Sequence, residues 1–395
     1  MPHQLRPARI AVVSTFAIHG FVSGSWAPRI PALKGDLGLD NGDLGIAFAG
    51  LAVGLFLGTR VAGRPIDRLG TRLPLRAGLP LMCAALVGPA VATDLLTLTL
   101  AFAWLGLVSG FLDVAMNANA VAVERGYRRP ILSGVHAFWS IGLLAGSAVG
   151  AGAAALGAGV TTHFGLAALV LAGLAVLTTR SLLPRDVDDA PEREGGDLRR
   201  AFSIPVLLLG LVAFSAFAGE GSAADWSAVY MDETVGVGEG VAGAAFVAFS
   251  IGMILSRLVG DAVSRRFGPV QTVRFGGALA TIGLALALAA PQPAPAIGGY
   301  LLFGAGLGPV VPIAFSAAGN LDRRRSGALL GMVVTIAYVG SVLGPVVIGF
   351  AAEAASLRVA LLLPAALAVL VAALASSVGS AAGRTSGPRS DVTRT

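Results

Sequence analysis

Gly63-Arg64-Pro65-Ile66-Asp67-Arg68-Leu69-Gly70-Thr71-Arg72 is a short polar turn between two long apolar runs, and its chemistry governs how the rest of the chain is read. Gly63 and Gly70 permit close helix approach and a tight turn. Asp67 is suited to accept hydrogen bonds from the amino terminus of a neighbouring helix or from an arginine. A contact of that kind breaks and reforms when the bodies it joins move, so Gly63, Asp67, Arg68, Gly70 and Arg72 are candidate gate residues at the cytoplasmic side. Arg68 and Arg72 have a second reading, as anchors at a membrane surface.

Outward from this turn the chain is apolar. Hydrophobic residues make up 55% and charged residues 13% of 395, with a mean hydropathy of +0.80. That is more apolar surface than a soluble core buries, so the excess faces lipid. Runs such as 10–26, 326–352 and 359–378 are each long enough to cross about 30 Å of hydrocarbon. The pattern predicts twelve spans, near 9–28, 43–63, 74–93, 95–123, 131–155, 160–183, 203–230, 238–260, 271–290, 294–318, 326–352 and 357–379. The net charge of +6 would suit nucleic acid, but its placement argues otherwise. With the amino terminus inside, Arg6, Arg9, Arg60, Arg125, Arg257 and Arg265 join the arginines of the turn on one side, while Arg29, Lys34 and Arg358 fall on the other. That asymmetry predicts a multi-pass protein of a bacterial cytoplasmic (inner) membrane with both termini cytoplasmic. The lone Cys83 allows no internal disulfide.

The chain also matches itself. At an offset of 198 residues, Phe48 meets Phe246, Gly70 meets Gly268, Gly106 meets Gly304, Gly110 meets Gly308, Gly142 meets Gly340 and Gly146 meets Gly344. Among 54 glycines isolated coincidences are expected, but four in corresponding spans imply shared helix packing. The predicted organisation is an all-α membrane protein of two six-helix repeats around a central cavity. An N-terminal bundle covers 1–183, a polar cytoplasmic linker 184–200, a C-terminal bundle 201–379, and a disordered tail 380–395.

A charged side chain at bilayer depth costs at least about 2.5–3.5 kcal/mol, so acids inside spans are functional candidates. Asp113 lies well inside the fourth span, roughly 16 Å from Glu124 at its end, and shares a helical face with Gly110 and Asn117. Glu220 sits between glycines in the seventh span; Asp225, about 140° further round the helix, should not share its face. His19 and His136 fall inside the first and fifth spans, where they either titrate near neutral pH or serve as satisfied interhelical donors. Trp139, one turn from His136, is placed to stack a ring or to pack in the core. Asp113, Asn117, Glu220, His19, His136 and Trp139 are the predicted proton and substrate cavity. No histidine pair has ligand spacing, no Walker loop is present, and no nucleophile stands in readable register with a base, so no metal, cofactor, ATP drive or enzymatic activity is expected.

The stretch 63–72 resembles the cytoplasmic signature of the major facilitator superfamily, which implies the twelve-helix fold and alternating access. The second copy, Gly260-Asp261-Ala262-Val263-Ser264-Arg265-Arg266-Phe267-Gly268, is degenerate, because the offset puts Arg265 where the first half has Asp67; a one-sided acidic latch is therefore expected. Gly331, Gly340, Gly344 and Pro345 resemble the glycine-proline pattern of exporters, although the counterpart Gly142, Gly146, Ser147 and Gly150 lacks the proline. Three stretches, 25–34, 112–117 and 220–226, resemble the bacterial fucose-permease-like branch. In its sugar permeases an acid on the fourth helix couples protons, and Leu112 to Asn117 resembles that context. Their first-helix acid matches Ala27 here.

The expected function is a secondary active transporter, proton-coupled through Asp113 with help from Glu220, that moves a small organic solute across the lipid bilayer as a monomer. A proton-antiport exporter of drug-like metabolites and a non-transporting sensor or scaffold are the alternatives.

Overall fold

The computed structural model describes residues 2–39, 41–183, 203–237, 243–322 and 325–379; the predicted linker 184–200 and tail 380–395 lie outside them. Backbone groups in hydrocarbon must be satisfied within the segment, and long apolar runs accordingly form helices. Among the described residues, eleven helices are long and apolar enough to cross a membrane: Ile46–Leu69, Arg72–Val91, Leu95–Tyr127, Leu132–Ala154, Val160–Ser181, Ile204–Ser227, Ala244–Phe267, Pro269–Ala289, Pro293–Leu321, Ser326–Ala354 and Leu357–Gly379. We number these spans two to twelve. The first, Pro2–Ser25, has 24 residues and thus the length to span, but Arg9, Ser14, Thr15, His19 and Ser23 make it less apolar than the rest. The tenth span is broken at Gly308 and Pro309 into Pro293–Leu307 and Val310–Leu321. Outside the spans, Ile30–Leu37 forms a short helix that ends at left-handed Gly38.

The repeated glycines have a structural meaning. A Cβ on Gly106 would stand 2.2 Å from the carbonyl oxygen of Leu51, and one on Gly304 2.0 Å from that of Phe249. Both members of each pair are 198 apart, so the fourth span packs on the second as the tenth packs on the eighth. Likewise a Cβ on Gly142 would meet the Ala17 carbonyl at 2.1 Å, and one on Gly340 the Phe214 carbonyl at 2.3 Å. This seats the fifth span on the first and the eleventh on the seventh. Absent side chains bring backbones together where no hydrophobic force drives helices to associate.

At the arginine-rich end, the second and eighth spans close alike: Gly70 and Gly268 have φ of 73° and 82°, and each donates its N–H to the residue four before it, Ile66 or Ser264, at 2.9 Å. The latches, however, are two. Asp67 Oδ1 accepts the N–H of Gly327 at 3.1 Å, at the start of the eleventh span. Asp261 accepts the N–H groups of Ser133 and Gly134 at 2.9 and 2.8 Å, at the start of the fifth. The expectation of a one-sided latch is thereby corrected. Repeat register puts Arg265 opposite Asp67, but the fifth span starts at Leu132, four residues later than the eleventh, at Ser326, would imply. The acid has moved by the same single turn, so each acid still meets a helix amino terminus.

Further contacts seal this end. Thr59 and Thr335 hydroxyls meet at 3.0 Å, a Cβ on Gly63 would lie 3.1 Å from Ala328 Cα, and Arg125 Nε donates to Asn320 Oδ1 at 2.7 Å. Glu124, which the sequence left as a terminal marker, accepts the N–H groups of Ile131 and Leu132 at 2.8 and 3.1 Å and a hydrogen bond from Ser316. Arg72 does not cross between the halves: it donates to the Arg180 carbonyl at 3.2 Å, tying the third span to the sixth. Arg68 is exposed.

Candidate functional site

Between the sealed end and the opposite face lies a cavity of about 360 Å³, lined from both halves. It reaches Trp26 and Ala224, near the far ends of the first and seventh spans. Asp113, His19, His136, Trp139 and Glu220 all line it, and Asn117 stands directly behind, fully buried. The structure therefore brings together all six residues that the sequence singled out, and leaves Asp225 exposed.

Asp113 and Asn117 are one turn apart on the fourth span. Asn117 Nδ2 donates to the Asp113 carbonyl at 2.8 Å and to its Oδ1 at 3.2 Å. That fixes the amide orientation, so Asn117 Oδ1 accepts from His136 Nε2 at 3.0 Å and His136 carries its proton there. Asp113 Oδ2, though buried, makes no well-formed hydrogen bond, and the Tyr338 hydroxyl of the eleventh span lies alongside the carboxyl. An acid so placed has one oxygen held and one available for a new partner.

His19 is held on both nitrogens. Trp139 Nε1 donates to Nδ1 at 3.0 Å, which leaves the proton on Nε2, facing the Ser109 hydroxyl at 3.1 Å and its carbonyl at 3.3 Å. A second proton on Nδ1 would set two donors face to face, so this geometry holds a neutral imidazole. Trp139 is thus a donor as well as a cavity wall.

Arg257 is the residue that the sequence misplaced. Counted among the cytoplasmic arginines, it is instead buried and lines the cavity. Nη1 donates to Ser140 Oγ of the fifth span at 2.6 Å and Nε to the Gly308 carbonyl at 3.2 Å, an oxygen that the helix leaves free because Pro312, four residues on, has no N–H. Nη2 reaches Glu220 Oε2 at 3.5 Å. The available signal was depth: Arg257 lies eight residues, about 12 Å, inside Arg265. Apart from Ser23 and Ser341, the remaining wall is apolar and aromatic, with Phe217 bridging Phe315 and Tyr338 at ring separations of 6.4 and 5.3 Å.

A family model described as Major Facilitator Superfamily matches residues 12–321 and 208–391. The chain is 33% identical to the "Uncharacterized transporter y4wD" of Sinorhizobium fredii over 94% of its own length and 98% of the relative's. It is 31% identical to "Membrane protein MosC" of Rhizobium meliloti, over 92% and 88%. Among solved structures it resembles the transporter FucP in the outward conformation, with a TM-score of 0.78 at 16% identity over 92% of this chain and 97% of that one. It also resembles the human organic anion transporter MFSD10, with a TM-score of 0.75 at 16% identity over 94% and 99%. With the twelve-helix fold, the repeated glycine packing and these matches in agreement, the chain belongs to the Major Facilitator Superfamily of membrane transporters.

Proposed function

We propose that the protein is a proton-coupled secondary transporter that moves a small organic solute through the central cavity by alternating access. The two six-helix bundles, 1–183 and 201–379, rock about that cavity, and one chain encloses all of it, which favours a monomer as the working unit. The arginine-rich end is cytoplasmic by the positive-inside rule, in a bacterial inner membrane, so the arrangement described is closed inward. FucP, a fucose:proton symporter, shares the fold.

The observation that carries this reading is Asp113: a buried carboxyl on the cavity wall, with Oδ1 held by Asn117 and Oδ2 without a well-formed partner. A proton drives transport only if it binds the two states unequally. Asp113 meets that condition when rocking moves Tyr338 relative to it, since the two residues belong to different bundles. Exchange of Asp113 for Asn is expected to abolish uptake driven by a pH gradient while solute exchange across equal pH persists; intact pH-driven uptake in that variant contradicts the assignment.

A further inference from the structure

The cavity holds an arginine that alternating access by Asp113 does not require. Arg257 is 3% exposed and bonded on three sides, and its contact with Glu220, at 3.5 Å, is the longest of the three. A buried guanidinium demands an anion, and desolvating the charge costs several kcal/mol unless the pairing is close. Glu220 supplies that anion loosely, from the cavity wall. The two firm bonds, to Ser140 and Gly308, fix the plane of the fork and aim Nη2 at the space that Glu220 shares with the cavity. Around that point the wall is Trp26, Trp139, Phe16, Phe217, Phe315 and Tyr338, suited to an apolar or aromatic body.

Resting on the transporter reading above, we infer that the solute is a small organic monoanion with an apolar body, whose carboxylate or equivalent acidic group binds Arg257 by displacing Glu220. The charges then balance in one way. Before binding, Arg257 and Glu220 neutralise each other; an anion arriving alone would leave two negative groups at one guanidinium. One proton entering with the anion, onto the released Glu220 or onto Asp113, restores neutrality. The titratable and charged groups around Glu220 are Arg257 on the eighth span, Tyr338 on the eleventh, Asp113 on the fourth, and His19 and His136 on the first and fifth. His19 is held with one proton by the bonds given above, and a second proton on His136 would set another cation beside Arg257, which leaves the two carboxylates to take it. Anion and proton thus enter as a pair.

The test is an equilibrium titration of the purified full chain, read by the fluorescence of Trp26 and Trp139. The probes are benzoate, phenylacetate and hexanoate, each beside its uncharged amide, with fucose and xylose as neutral solutes. At least one acid should give a saturable change at millimolar concentration, tightening up to about tenfold per unit fall in pH where the acid set is ionised, while its amide does not. Arg257→Gln should weaken acid binding by about 30-fold or more, whereas Glu220→Gln, which removes the competitor, should tighten it. The double variant Arg257→Gln with Glu220→Gln leaves no unpaired charge to unfold the helix bundle, and should bind acid as weakly as the single Arg257 variant. No response to any acid, equal binding of acid and amide, or acid binding unchanged in the double variant overturns the inference. The two readings fail separately: proton-driven uptake of a neutral sugar would uphold the transporter and sink the anion, whereas acid binding at Arg257 without proton movement would uphold the anion site and sink both the proton pairing and the coupled transporter.

Discussion

The carboxylate of Asp261 caps Gly134: Oδ2 accepts its backbone N–H at 2.8 Å, across the line between the two halves, while Oδ1 takes the N–H of Ser133 at 2.9 Å. With Asp67 on Gly327 this makes a pair of latches, each an acid at the positive end of a helix dipole. Each such contact contributes about 0.3–1 kcal/mol, up to about 2 kcal/mol when partly buried.

Removing both should therefore open the arginine-rich end. Thr59 is buried there against Thr335, so a Thr59→Cys reporter with Cys83→Ser reads opening by its rate of maleimide labelling. Asp67→Asn together with Asp261→Asn is expected to raise that rate about threefold or more, and Asp261→Asn alone should have a measurable share. A rate that responds to Asp67→Asn only would restore the one-sided latch.

The glycine contacts predict an equally paired effect on stability. Gly106→Ala and Gly304→Ala each drive a Cβ into a carbonyl oxygen on a facing helix, at 2.2 and 2.0 Å. Each should cost about 1–3 kcal/mol, read as a lower thermal inactivation midpoint in detergent. Gly298→Ala, where nothing lies within 4 Å, should stay within about 0.5 kcal/mol of the parent. If Gly304→Ala proves as mild as Gly298→Ala, the repeated glycines are not packing residues.

His19 separates a positioning histidine from a proton carrier. Glutamine at that position can still accept from Trp139 and donate to Ser109, so His19→Gln should keep pH-driven uptake and weaken solute affinity. Loss of pH dependence with affinity intact would mean that the ring itself titrates during transport.

Much of this was legible in the sequence because the bilayer leaves few choices. Apolar runs of fixed length must be helices, and arginines mark one side. Glycines repeated at one spacing foretold the shared packing at Gly106 and Gly304. Asp113, Glu220, His19 and His136 stood out because polar groups inside spans are expensive. What escaped was set by three-dimensional register. Arg257 read as an anchor because linear depth in a helix is blurred where arginines follow at 265 and 266. Asp261 was passed over because a rigid offset cannot follow a helix that starts one turn later. Ser140 and Tyr338 were invisible, since a hydroxyl becomes part of a site only when another helix brings it a charge. The first span fell short of the apolar standard for the same reason that it matters: His19 and Ser23 line the cavity.

The most direct test of the account is uptake into proteoliposomes of the purified protein with internal pH recorded, screening organic acids, sugars and cationic drugs under an inwardly directed proton gradient. The account predicts that one class of small solute enters together with acidification of the lumen, and that Asp113→Asn removes the acidification but not solute counterflow. Solute movement with no change in internal pH, in the parent and the Asp113 variant alike, would contradict it.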